Sequence, residues 1–147
     1  MSDCQNMNKY FLDTNFFLDV ADSKRQRHPL AADCFRRLLE QENRLFTSSD
    51  ILTTVAYFVQ KHENLEQCLK VMDMIASEVE IVCATNNDFL KLNHILQTGN
   101  GKNDYEDALQ FYLADKSECH YLITSDNKFC EHLREVFTTE IIGLSTV

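Results

Sequence analysis

Glycine and proline are scarce in this sequence, whose 147 residues include three Gly and one Pro. Both residues are frequent in disordered chains and in sandwiches rich in turns, so their scarcity argues against those two classes. Hydrophobic residues make up 44% of the chain, and a chain of this length can form one domain that buries roughly 70% of its unfolded surface. We therefore predict a single compact, helix-rich domain over residues 1–147.

Long apolar runs are absent as well. The amino-terminal stretch MSDCQNMNK lacks the apolar core of a signal peptide. No run elsewhere approaches the ~20 residues that a membrane-spanning helix needs. These absences predict a cytoplasmic protein.

The six cysteines are scattered, and no two of them form a C-x-x-C pair. We interpret them as reduced thiols. The stretch CHYLITSDNKFCEH offers two Cys and two His as zinc ligands, but its spacing matches no common structural site and a predicted buried strand separates the pairs. The four residues of that stretch are Cys119, His120, Cys130 and His132, and the other cysteines are Cys4, Cys34, Cys68 and Cys83.

Positive charge is in the minority, since 14 Lys and Arg face 23 Asp and Glu for a net charge of −9. This balance argues against broad nonspecific binding of nucleic acids. A local basic surface remains compatible with it, although the same residues also fit solvated helix faces. The candidates are Lys24, Arg25, Arg27, Arg36 and Arg37.

Strand-like and helix-like segments follow one another along the whole chain. Strands separated by helices predict a parallel sheet with helices on both faces, which is an α/β fold of three layers with about five strands. The predicted strands cover residues 9–13, 44–48, 80–85, 120–126 and 140–144. The predicted helices cover residues 28–43, 49–62, 65–79, 86–98, 104–118 and 127–137, and Pro29 opens the first of them.

Four aspartates stand where ligands collect in such folds, outside the carboxyl ends of strands. Asp13 ends the first strand inside an otherwise apolar run, and Asp126 ends the fourth, so their carboxylates face one crevice if those strands are neighbours. Asp104 and Asp107 are three residues apart in the first turn of a helix and therefore lie on the same side of it. Capping is an alternative role for Asp104 and Asp126, and it does not exclude metal binding.

Clustered carboxylates without Cys or His suit a hard, oxygen-preferring cation such as Mg²⁺ or Mn²⁺. Such an ion can activate water and neutralise the charge that develops on a phosphodiester. The pattern therefore favours a hydrolytic nuclease.

Four stretches, FLDTNFFLDV, TSSDILTTVAYFVQK, DYEDALQFYLA and LITSDNKF, resemble the successive motifs of the PIN-domain family, in particular its VapC-type toxin ribonucleases. Each motif is weak alone, but their order and spacing are specific, and the resemblance runs from Tyr10 to about Ile142. It implies a PIN-like three-layer fold and a Mg²⁺- or Mn²⁺-dependent endoribonuclease. On this resemblance the metal ligands are Asp13, Asp107 and Asp126, and Asp104 is a further catalytic acid.

The resemblance also assigns supporting roles to three polar residues. Asn15 stands at the polar position of the DTN motif and is expected to orient Asp13 or a metal-bound water, and Thr124 opens the T-x-D motif. Thr54 stands where most PIN nucleases place Glu, which puts a second metal ion in question. Some relatives with the DALQ signature also have an uncharged polar residue there. Asp50, about one helical turn away, is the best candidate to replace that carboxylate.

Partners are implied by the resemblance as well. They are an RNA substrate, a small antitoxin whose carboxyl-terminal segment crosses the active-site groove, and a second copy of the chain in a homodimer. The helix TTVAYFVQKH offers Val55, Tyr57, Phe58 and Val59 either for such a contact or for the core. The alternative function is a PIN-fold RNA- or protein-binding module that has lost turnover through Thr54. A phosphoacceptor receiver domain fits less well, because the DALQ acids lie on a helix.

Overall fold

The computed structural model describes residues 7–99, 103–126 and 128–147 of the chain. Its strands form one parallel sheet, which confirms the predicted α/β architecture with five strands. The strands are β1 (Lys9–Leu12), β2 (Arg44–Ser48), β3 (Glu80–Val82), β4 (Tyr121–Ile123) and β5 (Glu140–Ile142).

Helices cover both faces of this sheet and complete the predicted three layers. Within the described residues they are α1 (Thr14–Ala21), α2 (His28–Glu40), α3 (Ser49–His62), α4 (Leu65–Glu78), α5 (Asn86–Gln97) and α6 (Tyr105–Lys116). Two short 3₁₀ helices, Glu131–Leu133 and Leu144–Thr146, lie near the carboxyl end. Nowhere in the described ranges does a helix combine the length and the apolar character needed to cross a membrane.

The strand order is β3-β2-β1-β4-β5. Strands β2 and β3 therefore lie on one side of β1, and β4 and β5 lie on the other, so the strand order reverses at β1. In an open parallel sheet, the carboxyl edge at such a reversal is where ligands bind. Leu12 of β1 pairs with Ile123 of β4, and the N–H of Asp13 donates to the Ile123 carbonyl at 3.3 Å. The residues that follow these two strands therefore emerge side by side at the reversal.

Several helices begin where the sequence supplies a capping group. The Ser48 hydroxyl accepts a hydrogen bond from the Ile51 N–H at the start of α3, and Asn64 does the same for Gln67 at the start of α4. Thr85 and Asp88 form a reciprocal capping box on α5. Each contact satisfies a backbone donor that a helix end leaves without a partner, which explains why the predicted starts of these helices are accurate.

Helix α1 is missing from the predicted helices. Phe16, Phe17, Leu18 and Asp19 are consecutive and all buried, so α1 has no continuous solvent face and lacks the 3.6-residue pattern that identifies an amphipathic helix. The predicted strand over residues 9–13 is correspondingly one residue too long, since β1 ends at Leu12.

The predicted helix over residues 127–137 is wrong. Asn127 lies outside the described residues, and the part that follows contains turns and the 3₁₀ helix Glu131–Leu133. Cys130 immediately precedes this helix with a φ of 45°, in the left-handed region, which a continuous α-helix does not tolerate.

Helix α6 is the most deeply buried helix of the described chain, because seven consecutive residues from Ala108 to Ala114 are buried. Its ring Phe111 packs against Phe129 and Phe137 with centroids 6.4 and 4.8 Å away. A helix fixed in this way holds its first turn, residues 105–107, at a defined position relative to the sheet. That first turn carries one of the predicted site residues, Asp107.

Candidate active site

Asp13 lies directly after β1 and is the N-cap of α1. The residue is only 6% exposed, and its Oδ2 accepts a hydrogen bond from the Thr124 hydroxyl at 3.0 Å. Burial raises the pKa of Asp13 above its usual range, opposed by hydrogen bonds from the Thr14 backbone and the Thr124 hydroxyl. The nearby charges of Glu106 and Asp126 raise the pKa further. A positive charge at this position would relieve both effects.

Asp107 is a second acid of the group with a raised pKa. It is half-buried in the first turn of α6, and its pKa is raised to about 7, first by burial and then by the charges of Asp13, Asp104, Asp126 and Glu106. The structure therefore brings the other three predicted aspartates close enough to Asp107 for their charges to act on it. A carboxyl with this perturbation in an open cavity is a candidate functional group.

Asp104 is exposed and is the N-cap of α6, where its Oδ1 accepts a hydrogen bond from the Asp107 N–H at 3.1 Å. The capping role predicted as an alternative for Asp104 is thus present. It does not remove Asp104 from the cluster, because the charge of Asp104 also raises the pKa of Asp107.

Asp126 lies three residues beyond the end of β4, and it is exposed. Its N–H donates to the Thr124 hydroxyl at 3.2 Å, and its Oδ1 accepts from the Lys128 N–H at 2.9 Å. These bonds belong to a turn, so the predicted role of Asp126 as the cap of a following α-helix is wrong. Its effect on the pKa of Asp13 and Asp107 still places it beside the other acids.

A cavity of about 720 Å³ opens in front of the acids. Asp13, Asp104 and Asp107 line it, together with Asn15 from α1 and Thr54 from α3. Two of the three supporting residues predicted from the motifs therefore face the same space as three of the acids, whereas Thr124 lies outside the lining. Asp126 lies outside this lining.

Thr54 contributes no charge to the cavity. Its hydroxyl donates to the backbone carbonyl of Asp50 at 3.0 Å, one turn earlier in α3. The Asp50 carboxylate is not part of the cavity lining and accepts a short hydrogen bond from Gln110 Nε2. Asp50 is thus engaged with α6, which argues against it as the replacement for the missing Glu.

Gln110 is a buried polar residue near the acids that is not among the site residues predicted from the sequence. It lies in the middle of α6, is 1% exposed, and ties that helix to α3 through Asp50. The signal was present in the sequence, because a glutamine inside the apolar run ALQFYLA must find a hydrogen-bond partner when it is buried. Its partner could not be deduced, since Asp50 is 60 residues away.

The donor chemistry of the site fits a hard divalent cation. The side chains that gather here, Asp13, Asp104, Asp107 and Asp126, offer oxygen only, and burial together with mutual repulsion raises the pKa of two of them. Across residues 7–99, 103–126 and 128–147, no group of three or more His, Cys, Asp or Glu side chains already has the arrangement of a metal site.

The predicted zinc alternative involves Cys119 and Cys130, both of which are buried. Burial raises the pKa of each thiol to about 12, which disfavours the thiolate that zinc binds. His120 is occupied by another contact, as its Nδ1 accepts from the Lys9 N–H at 2.9 Å. The five described cysteines are free thiols, and Cys4 lies outside the described residues.

The predicted basic candidates separate into two groups. Lys24 and Arg25 line the cavity, and Arg27 donates to the Ser125 carbonyl at 2.7 Å. Arg36 and Arg37 instead pair with acids of their own helix α2, as expected of a solvated face. The basic surface near the acids is therefore small.

The apolar residues singled out on α3 also separate. Val55 and Val59 are buried, whereas Tyr57 is 59% and Phe58 37% exposed. The first pair belongs to the core, as one alternative predicted, and the second pair remains available for contacts.

A family model described as PIN domain matches residues 9–128. Ribonuclease VapC1 of Aquifex aeolicus is 31% identical over 135 residues, which cover 92% of this chain and 93% of that protein. Among solved structures, DNA-bound VapBC from Salmonella typhimurium superposes with a TM-score of 0.70 at 18% identity, covering 94% of this chain and 99% of that chain. Mycobacterium tuberculosis VapC20, a Sarcin-Ricin loop cleaving toxin, gives 0.69 at 14% identity over 83% and 93%. These two structures share the fold described above.

Proposed function

This chain belongs to the PIN-domain family, and we propose that it is a metal-dependent endoribonuclease, the toxin of a type II toxin–antitoxin pair. One observation carries the proposal: Asp13, Asp104 and Asp126 gather around Asp107 at the carboxyl edge of the sheet, where burial and then the charges of these neighbours raise the pKa of Asp107 to about 7. The 31% sequence identity to Ribonuclease VapC1 supports the same class of reaction.

Asp13, Asp107 and Asp126 are the residues that would hold Mg²⁺ or Mn²⁺. When bound, such an ion supplies Lewis-acid chemistry, activating water and neutralising charge on a phosphodiester. The chain itself fixes the acids: the Thr124 hydroxyl holds Asp13 Oδ2, and the backbone of α6 holds Asp104 through the Asp107 N–H. Asp13 and Asp104 are also N-caps of α1 and α6, so two helix dipoles favour negative charge at this edge.

The proposed function as a toxin ribonuclease also specifies the binding partners of the chain. The substrate is RNA, and a small antitoxin protein is the regulator, as the VapBC structures similar to this chain support. Exposed Tyr57 on α3, which lies outside the cavity lining, suits an apolar contact with the antitoxin or with a second copy of the chain in a homodimer. We place the protein in the cytoplasm, acting as one PIN-like domain over residues 1–147.

The alternative is a PIN-fold module that binds RNA or protein without turnover. Thr54 favours it, because this residue lines the cavity at the position of the usual Glu and presents a hydroxyl that is already bonded to the Asp50 backbone. Such a module would bind RNA and leave it intact.

The deciding experiment is incubation of the purified protein with mixed RNA at increasing Mg²⁺ or Mn²⁺. We expect metal-dependent fragments carrying a 5′-phosphate. Asp13→Asn and Asp107→Asn should abolish cleavage while circular dichroism shows an intact fold. The matched control is Asp73→Asn on α4, an exposed aspartate outside the cavity, which should cleave like wild type. Binding without cleavage by the wild-type protein would favour the alternative instead.

A further inference from the structure

The cavity continues past the acids to a wall of different chemistry. This wall consists of Lys24 and Arg25, which follow α1, and of Phe58 and His62 on α3. Helix α1 has eight residues, about 12 Å along its axis, and lies between Asp13 at its start and the two cations that follow its end. The charged residues in the rest of the lining are acidic, namely Asp22, Glu63 and Glu106 in addition to the aspartates of the site.

Arg25 is held in place by a buried carboxylate. Its Nε donates to Asp19 Oδ1 at 2.7 Å, and Asp19 is only 3% exposed. A buried charge is costly unless it is paired, so this contact fixes the guanidinium firmly. Within the described part of the chain, the terminal nitrogens of Arg25 have no hydrogen-bond partner. A guanidinium bound through Nε and open at its terminal nitrogens suits a phosphate oxygen.

Phe58 and His62 form a stacked pair one helical turn apart. Their ring planes differ by 4° and their centroids are 6.2 Å apart. Phe58 is 37% exposed, and both rings line the cavity. Exposed rings that line the same cavity as cationic side chains suit single-stranded nucleic acids, whose bases proteins bind by stacking on aromatic side chains.

We propose that this wall binds one strand of single-stranded RNA, with a backbone phosphate at Arg25 and a base against the Phe58–His62 pair. Asp19 is a positioning residue that aims Arg25. The inference rests on the proposed ribonuclease function and adds the residues that hold the substrate away from the acids. Because the wall has only two cations in an acidic cavity, it contacts one or two phosphates and does not bind nucleic acid broadly.

The test measures binding of a fluorescein-labelled single-stranded RNA by anisotropy at several salt concentrations, in an Asp13→Asn background that prevents cleavage. Arg25→Gln should reduce the slope of log affinity against log salt by about 0.7, the value for one phosphate contact on a single strand. Arg36→Gln, which removes an exposed arginine paired on α2, is the matched control and should leave the slope unchanged.

The stacking contact has its own pair of variants. Phe58→Leu should weaken RNA binding by roughly 5-fold to 100-fold without changing the salt slope. Phe89→Leu makes the same substitution at a ring of α5 that is 39% exposed and outside the cavity, and it should bind like the parent. Equal behaviour of each variant and its control would overturn the proposal.

The role of Asp19 is tested by Asp19→Asn and by Arg25→Lys. Both keep the positive charge at position 25 but lose its fixed orientation, so we expect weaker binding with the salt slope retained. Arg25→Lys keeps this test valid if Asp19→Asn fails to fold, which thermal melting reports. Parent-like affinity in Arg25→Lys would overturn the positioning role. If the wild-type protein neither binds nor cleaves RNA, the proposed function itself fails, whereas cleavage with unaffected wall variants removes only this inference.

Discussion

The Thr124 hydroxyl donates a hydrogen bond to Asp13 Oδ2 at 3.0 Å across the boundary between β1 and β4. The hydroxyl oxygen of Thr124 also accepts a hydrogen bond from the Asp126 N–H at 3.2 Å. One buried side chain thus sets the positions of two acids that come from opposite ends of the sequence. A valine has nearly the same shape and makes neither bond.

We predict that Thr124→Val lowers the rate of RNA cleavage by roughly tenfold or more, since a hydrogen bond to a charged group contributes about 1.5–3 kcal/mol. Loss of this donor should raise the pKa of Asp13 further, so the acid limb of the pH–rate profile should move to higher pH. Thr124→Ser keeps the hydroxyl and should behave nearly like wild type. The same rate and profile for the Val and Ser variants would show that the hydroxyl does not matter.

A second prediction concerns pH and stability in the absence of metal. The pKa of Asp107 is raised from its ordinary value of 3.8 to about 7, so between these values the folded state binds a proton that the unfolded state releases. The contribution of Asp107 to stability is therefore most favourable at low pH and is lost as the pH rises through about 7. In EDTA, the melting temperature of wild type should fall relative to that of Asp107→Asn between pH 5 and 8. Asp73→Asn should follow wild type, and parallel curves for all three proteins would contradict the shift.

Divalent metal should reverse this destabilisation. At a hundred times its dissociation constant, a bound ion stabilises the folded state by roughly 2.7 kcal/mol, which raises the melting temperature of a domain of this size by about 5–10 °C. We expect Mn²⁺ to produce this rise in wild type at pH 8. In Asp107→Asn the metal-free melting temperature should increase slightly and the response to Mn²⁺ should shrink. A role limited to the helix start predicts the opposite, a lower metal-free value with the response preserved.

The fourth prediction concerns Thr54, an uncharged residue of the cavity lining. Thr54 lines the cavity beside Asp13 and Asp107, so Thr54→Glu should supply a further carboxylate and increase metal affinity or cleavage. Thr53→Glu adds the same charge at an exposed neighbouring residue outside the lining and is the matched control. An unchanged metal dependence in Thr54→Glu, measured by titrating Mn²⁺ into the cleavage reaction, would count against a role for this position.

Amphipathic helices and capped starts made much of the fold predictable. Helix α3 has the predicted bounds, 49–62, because its buried residues repeat at helical spacing and Ser48 caps its start. Helix α1 was not predictable by the same means, since its buried residues are consecutive. The predicted helix near residue 130 failed because backbone geometry there, with Cys130 at positive φ, leaves no trace in apolar spacing.

The candidate site likewise has features that could be predicted from the sequence and features that could not. The acids were identifiable because a charged residue at the end of an apolar strand demands an explanation, and parallel topology brings such ends together. The contacts of Gln110 with Asp50 and of Arg25 with Asp19 were not identifiable. Each depends on how α1, α3 and α6 pack, which a single sequence does not encode in any local pattern.

The order of the strands also determines when the four aspartates can come together during synthesis of the chain. Asp13 is made early, whereas Asp104, Asp107, Thr124 and Asp126 all lie in the last third of the chain. Strand β4, which carries Thr124 to Asp13, is inserted beside β1 only after both flanking helical layers have been translated. A ribosome-bound chain that ends before residue 104 therefore contains only Asp13 of the four acids, and one that ends before residue 126 still lacks Asp126. The order of the strands thus makes assembly of the four acids one of the last events in the synthesis of the chain.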